Sequence, residues 1–200
     1  MRIVFATNND DKVREIRNLL GKSFRLISLK NLMLNEDIPE IYPTLEENAL
    51  FKARYINKIS GMNVFADDTG LEIEALGGRP GVHSARFAGE HKDFQANIDK
   101  VLLLMTGVTN RKARFRTVIA LIANDSEYIF EGVVTGEILF SRRGYNGFGY
   151  DPIFVPDGEN LSFAEMSLNE KNKISHRAQA FEKLKLFLSQ YSSSNNKETK

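Results

Sequence analysis

Two adjacent carboxylates, Asp67 and Asp68, follow the apolar run Val64-Phe65-Ala66. That order places them at the C-terminal end of a buried strand, the edge at which open α/β sheets bind ligands. Carboxylate oxygens there can hold a hard divalent ion or take a proton from water. Neighbouring strand side chains point to opposite faces, so one aspartate can meet a metal while the other anchors the loop or meets a second group. An Asp-Asp-Thr-Gly turn that merely ends a strand is the competing reading of the same four residues. Glu40, Glu46, Glu47, Glu72 and Glu74 offer further oxygens. Glu40 lies in an irregular stretch with no evident structural employment, Glu47 is spaced to close a helix cap, and Glu72 and Glu74 alternate away from an apolar face toward solvent.

Three other segments carry polar chemistry. Thr7-Asn8-Asn9-Asp10-Asp11-Lys12 joins a strand to a helix, where backbone N–H groups and the positive helix end favour a phosphate and Lys12 adds a mobile charge. The segment reads equally as a loop whose Asn9 or Asp10 caps the helix, and it lacks the glycines of a P-loop. Gly144-Tyr145-Asn146-Gly147-Phe148-Gly149-Tyr150-Asp151-Pro152 puts three glycines and three aromatics in nine residues. Such a loop can approach a ligand closely and stack a purine while Asp151 accepts from a ring N–H; a well-packed hairpin loop has a similar composition. Lys171-Asn172-Lys173-Ile174-Ser175-His176-Arg177 reads as the opening of the last helix, where gathered cations repel one another and the dipole unless a polyanion or solvent relieves them.

The elements that must position these residues follow from periodicity. Arg2 to Thr7 reads as a buried strand, Asp11 to Leu20 as an amphipathic helix, and Phe24 to Leu29 as a second strand ended by the polar stretch Asn35 to Pro43. Thr44, with Glu47 three residues on, predicts a capped helix running to about Ser60 and stopped by Gly61. Asn63 to Ala66 reads as a strand, Thr69-Gly70 as a turn, and Leu71 to Leu76 as another strand with one wet face. Phe94 to Met105 has helical spacing. Ala113 to Ala123 and Glu127 to Leu139 form a hairpin about Asn124-Asp125-Ser126, which makes the sheet mixed. A short strand at Ile153 to Val155 lies in the Gly144 to Gly158 loop, and a last helix from about Ser175 to Gln190 buries Ala178, Phe181, Leu184 and Leu188. Residues 191 to 200, mostly Ser, Asn and charge, read as a disordered tail.

The chain has 200 residues, 42% of them hydrophobic, enough for a core without staples. Absence of cysteine removes disulfides, thiolate nucleophiles and structural zinc knuckles, and His83, His91 and His176 are too scattered for a zinc site, so any metal should be a hard ion on carboxylates. The first apolar run is too short for a signal peptide or a membrane span, and the cytoplasm is the expected location. A formal net charge of +1 argues against a large basic footprint for nucleic acid while leaving room for a local cationic pocket.

Thr7-Asn8 with Lys12, Glu47-Asn48-Ala49, Ala66-Asp67-Asp68-Thr69-Gly70-Leu71, Ala75-Leu76-Gly77-Gly78 with Pro80-Gly81 and Ser84-Ala85-Arg86, Phe148-Gly149-Tyr150-Asp151-Pro152 and Ser175-His176-Arg177 occur in that order over nearly the whole chain. Together they closely resemble the non-canonical purine nucleotide pyrophosphatases, also called the ITPase, HAM1 or RdgB-like family. The resemblance implies an α/β fold with an elongated mixed sheet flanked by helices, two lobes with a central cleft within residues 1–190, and a homodimer. It implies magnesium-dependent cleavage of ITP, dITP and XTP to monophosphate and pyrophosphate. Asp68 would be catalytic and a metal ligand, with Glu40 a second ligand. Thr7, Asn8, Asn9, Asp10, Asp11, Lys12 and Lys171 would meet the phosphates, with Thr69 near the substrate. Phe148, Gly149, Tyr150 and Asp151 would enclose the base, and His176 with Arg177 would contact it. Two other readings stay open: a house-cleaning pyrophosphatase for modified pyrimidine nucleotides, and a nucleotide sensor without turnover.

Overall fold

Alternation of short apolar runs with amphipathic stretches gives alternating strands and helices. In the computed structural model, which describes residues 2–20, 25–34 and 38–195, these are β1 (Arg2–Phe5), α1 (Asp10–Leu20), β2 (Arg25–Ser28), α2 (Leu45–Ser60), β3 (Val64–Ile73), β4 (Pro80–Gly81), α3 (Phe94–Leu104), β5 (Lys112–Ala123), β6 (Ser126–Ile138), β7 (Phe154–Pro156), α4 (Leu168–Ile174) and α5 (His176–Asn195). Strand neighbours run β2-β1-β3-β5-β6-β7, with β4 on β3. β1 is parallel to β2 and β3, while β3–β4 and β6–β7 are antiparallel, so the fold is mixed α/β as expected. No described helix is long and apolar enough to cross a membrane.

The chain forms two compact units. The first comprises residues 1–68, 118–132 and 177–200, and the second 69–117 and 133–176. Each has its own core. In the first, Ile3, Phe5, Val13, Ile16, Phe65, Ile119 and Leu121 pack with Phe181, Leu184 and Leu188 of α5, and the Phe5 and Phe65 rings stack 4.5 Å apart. In the second, Leu71, Ile73, Ile98, Val101, Phe115, Phe154 and Phe163 form the centre.

Several local expectations stand. Thr44 caps α2, its hydroxyl 3.2 Å from the Glu47 amide, and Gly61 ends the helix at φ 62°. The Glu47 carboxylate accepts from the Thr44 hydroxyl at 2.8 Å rather than from the Thr44 backbone amide, so the expected capping box is made only in its Thr44 half. The β5–β6 turn is two residues, Asn124 and Asp125, both at positive φ, the geometry that matches strand twist.

Three expectations are corrected. No turn occurs at Thr69-Gly70: β3 runs unbroken from Val64 to Ile73, so Asp67 and Asp68 lie mid-strand. Gly70 is needed because a Cβ there would sit 2.6 Å from the Gly81 carbonyl oxygen on paired β4, not because the chain reverses. Lys171 does not open the last helix. It lies in α4, a helix with its own Ser167–Glu170 capping box, and the extended Ser175 separates it from α5. Lys171 and Lys173 therefore sit in a last turn, where the dipole favours cations. Finally, α5 continues to Asn195, and Tyr191 packs against Phe187 and Tyr128 because an aromatic among polar residues still has apolar area to bury. Residues 196–200, like Phe24 and residues 35–37 of the expected second strand and polar stretch, lie outside the described residues.

Candidate functional site

The first unit carries a ladder of buried charges. β3 sends Asp67 and Asp68 to opposite faces, as strand geometry demands. Asp67 accepts from Lys12 Nζ of α1 at 2.9 Å and from Arg177 Nε of α5 at 3.3 Å, and Arg177 also pairs with Glu15 of α1. Asp68 Oδ1 accepts from Lys52 Nζ of α2 at 3.0 Å, and the same ammonium donates to Glu40 Oε1 at 2.8 Å. Asp68 Oδ2 is buried and, among the described residues, has no hydrogen-bond partner. A charged oxygen left so is costly in a fold unless a ligand or ion completes it.

The two aspartates differ electrostatically. Burial raises the Asp67 carboxyl, but Lys12, Arg177 and Lys52 outweigh it and hold the group at about 2. Burial likewise raises Asp68 and wins, because the Lys52 and Lys12 charges are offset by Glu40. Lys52 is pushed down by burial, yet Asp68, Glu40 and Asp67 carry it above its ordinary value. Lys12 ends below its ordinary value, since burial and the neighbouring Lys52 and Arg177 outweigh Asp67.

The stretch carrying Glu40 is tied down by Asn48, whose carboxamide makes two 3.0 Å hydrogen bonds with the Tyr42 backbone. Lys52 was not singled out from sequence, and Asn48 entered only within the Glu47-Asn48-Ala49 stretch of the resemblance. The signal was present, because Leu45, Asn48, Ala49, Lys52, Ala53 and Ile56 share the buried stripe of α2, where a lysine demands an acidic partner. Glu15 occupies the buried face of α1 beside Ile16 in the same way.

At the loop before α1, Asn9 is the cap: its Oδ1 accepts from the amides of Asp11 at 2.9 Å and Lys12 at 3.2 Å. Thr7 Oγ1 accepts from the Asn9 amide at 3.2 Å, and Asn8 is half-buried between them. Asp10 is exposed and bonded to Lys30 at 2.8 Å, and Asp11 pairs with Arg14. The capping reading therefore accounts for Asn9 and its two amides. Asp10 and Asp11 are engaged by cations, which leaves Lys12 as this segment's link to the aspartates.

In the second unit, Asp151 organises the aromatic loop. Its Oδ2 accepts from the Phe148 amide at 2.9 Å and from Lys171 Nζ at 2.6 Å. The Lys171 ammonium lies 5.1 Å from the Phe148 ring centre and 5.4 Å from that of Phe163. Gly147 is at φ 72°, and any Cβ there would fall on Asp151 Oδ2. Gly149 is also at positive φ, with open space where a side chain would stand. Tyr150 is core: burial raises its phenol, which donates to the Ser84 carbonyl at 2.8 Å, while the Ser84 hydroxyl links the Leu71 amide to the Gly81 carbonyl. His176 stacks on Phe115, ring centres 4.6 Å apart. Thr69, half-buried on β3, meets the fully buried Thr117 of β5, their hydroxyl oxygens 2.7 Å apart.

Three of the residues expected at the substrate have protein partners. Lys171 keeps company with Asp151 and Phe148. Arg177 belongs to the aspartate ladder of the first unit, its guanidinium held by Asp67 and Glu15. Tyr150 holds the Ser84 loop from within the core.

Among the described residues no group of three or more histidine, cysteine or carboxylate side chains is gathered as a metal cage. Asp68 Oδ2, with Glu40 on the same lysine, still fits magnesium, which takes one or two protein carboxylates and completes its shell with water and phosphate oxygens.

The Ham1 family model matches residues 3–187. A dITP/XTP pyrophosphatase of Christiangramia forsetii is 51% identical over 189 residues, covering 94% of this chain and 100% of that protein. One from Porphyromonas gingivalis is 50% identical over 188 residues, covering 94% and 97%. A solved HAM1 protein from Coxiella burnetii superimposes with a TM-score of 0.87 at 40% identity, over 95% of this chain and 99% of that one.

Proposed function

The chain belongs to the Ham1 family, and from that premise we propose that it hydrolyses non-canonical purine nucleoside triphosphates such as ITP, dITP and XTP to the monophosphate and pyrophosphate. The relatives' activity supports the reaction class. The observation that carries it to residues is Asp68: one carboxylate oxygen is held by Lys52, the other is buried with no partner among the described residues, and Glu40 shares the lysine.

In this reading Asp68 takes a proton from the water that attacks the α-phosphorus. The bond from that phosphorus to the bridging oxygen breaks, and pyrophosphate leaves. Burial makes Asp68 a stronger base than an exposed aspartate, and Lys52 fixes its orientation. Lys12 offers charge to the phosphates, anchored by Asp67, which Arg177 and Glu15 hold in turn. Asp68 and Glu40 are the residues that would hold magnesium. When bound, the ion neutralises charge on phosphoryl oxygens and favours ionisation of water.

Base selection rests on the C6 substituent, a carbonyl acceptor in hypoxanthine and xanthine but an amino donor in adenine. Phe148 stacks the base, Lys171 or His176 supplies the donor to C6, and Asp151 accepts from N1–H. Adenine would set an amino group against a donor, a mismatch of about 1 to 3 kcal/mol. The implied homodimer belongs to this proposal too, and light scattering reads it directly.

The test is pyrophosphate release from ITP, XTP, GTP and ATP side by side, with magnesium and with chelator, the products identified by phosphorus NMR. Pyrophosphate plus monophosphate from ITP and XTP, at least tenfold faster than from ATP at subsaturating substrate, is expected. Orthophosphate plus nucleoside diphosphate, or equal turnover of ATP and ITP, overturns the reading.

A further inference from the structure

α3 buries Asn97, Ile98 and Val101 along one stripe. Phe94, its first residue, stands one turn before Ile98 and two before Val101, so it prolongs that stripe to the helix end. The end needs no further cap, because the Asp93 carboxylate accepts from the Gln95 amide at 2.9 Å and the Ala96 amide at 3.1 Å. The half-buried Phe94 ring instead meets Phe148 of the aromatic loop, their centres 6.1 Å apart and their planes at 44°. A second contact joins the same turn to the start of that loop: Arg142 donates to Gln95 Oε1 at 3.1 Å, to the Gln95 carbonyl at 3.2 Å and to Asp99 at 2.8 Å.

The Phe148 backbone amide is held by Asp151, but Gly147 and Gly149 on either side bring no side chain against its ring. Neighbours from outside the loop act on the ring itself: the Lys171 ammonium, 5.1 Å from its centre, and Phe94. They act differently. A point charge attracts a ring face without setting its rotation, whereas a tilted pair of rings favours particular angles through its quadrupoles.

We propose that Phe94 is a positioning residue for base recognition, holding the Phe148 ring at the angle at which that ring stacks a purine. The assignment rests on the reading above in which Phe148 stacks the base, and it brings α3 into substrate recognition.

The variants are Phe94→Ala, Phe94→Leu, which keeps apolar volume without a ring, and Phe94→Tyr, which keeps the ring. Each is made in the native and the Phe148→Leu background. Melting is followed by circular dichroism, binding of IMP and of inorganic tripolyphosphate with magnesium by calorimetry, and kcat and KM with ITP by pyrophosphate release. Phe94→Ala and Phe94→Leu should weaken IMP binding and raise KM by about fivefold, the scale of one aromatic pair. Tripolyphosphate affinity and kcat should stay native, Phe94→Leu should melt with the native chain, and Phe94→Tyr should behave as native throughout. Neither loss should recur once Phe148 is leucine.

Native IMP affinity and KM in both Phe94→Ala and Phe94→Leu overturn the proposal. So does an equal loss in both Phe148 backgrounds, or a matched fall in tripolyphosphate affinity. Phe148→Leu alone separates the two readings. If it binds IMP as tightly as the native chain, Phe148 does not stack the base and both fail; if it loses affinity while the Phe94 variants do not, the positioning role alone falls. If the native chain releases no pyrophosphate from any purine triphosphate, the hydrolase reading fails by itself. The positioning role is then decided on IMP affinity, where absence of native binding also overturns it.

Discussion

Burial pulls both Asp67 and Asp68 toward the protonated form, and the cations and anions facing each decide the outcome. Asp67 faces Lys12 and Arg177 and stays ionised, while Asp68 shares Lys52 with another acid and becomes more basic. The consequences for stability have opposite signs. Asp67, depressed from 3.8 to about 2, stabilises the fold by about 2 kcal/mol above pH 4, a contribution lost as pH falls from 4 toward 2 because the unfolded chain takes its proton first. In urea melts from pH 6 to 2.5, Asp67→Asn should flatten the acid loss and be less stable at pH 6. Asp68 carries the reverse burden, since a raised carboxyl costs stability wherever it is ionised. Asp68→Asn, whose Oδ1 can still accept from Lys52, should melt no lower than the native chain while losing at least ~100-fold in kcat. Full activity in that variant would remove Asp68 from the mechanism.

At the scale of elements, the charged side chains sit on surfaces that secondary structure presents without strain. Strand alternation separates the two aspartates, and the α2 stripe carries Lys52 and Asn48 inward between alanines. Two element-level changes should separate stability from chemistry. Thr44→Ala removes the α2 cap, at a cost of about 1 kcal/mol, and should lower the melting temperature with little effect on kcat. Gly147→Ala introduces a Cβ onto Asp151 Oδ2 at a positive φ, and should raise KM for ITP through the Phe148 loop with a small change in melting, because Gly147 is exposed and outside either core. A rise in KM from Thr44→Ala matching that from Gly147→Ala would contradict this division.

For the whole molecule, two cores each anchor their own set of polar side chains, and a near-neutral charge leaves those sets to act locally. A ligand that completes Asp68 should stabilise the folded chain by mass action. Magnesium with a non-hydrolysable inosine triphosphate analogue at one hundred times its Kd should add about 2.7 kcal/mol by denaturant titration, while chelator should abolish the gain. Much of the frame was legible in the residues: the Thr44–Glu47 cap, the Gly61 stop, the Asn124-Asp125 hairpin and the α5 face of Ala178, Phe181, Leu184 and Leu188 all follow from local rules of spacing and backbone preference. The Asp67-Asp68 pair was legible as chemistry for the same reason. Partners were not. Gly70 reads as a turn until β4 is seen to approach it, Lys171 as the start of the last helix until Ser175 is seen to separate two helices, and the Arg177 partners Glu15 and Asp67 have no local signature. What the sequence determined is which residues carry charge, which faces are apolar and where helices begin, because each depends on neighbours a few positions away. Which cation meets which carboxylate, and so which aspartate is held ionised and which is made basic, was decided only by the tertiary structure, since electrostatic energy depends on distance in space and on burial, and partners such as Glu15 and Arg177 stand at opposite ends of the chain.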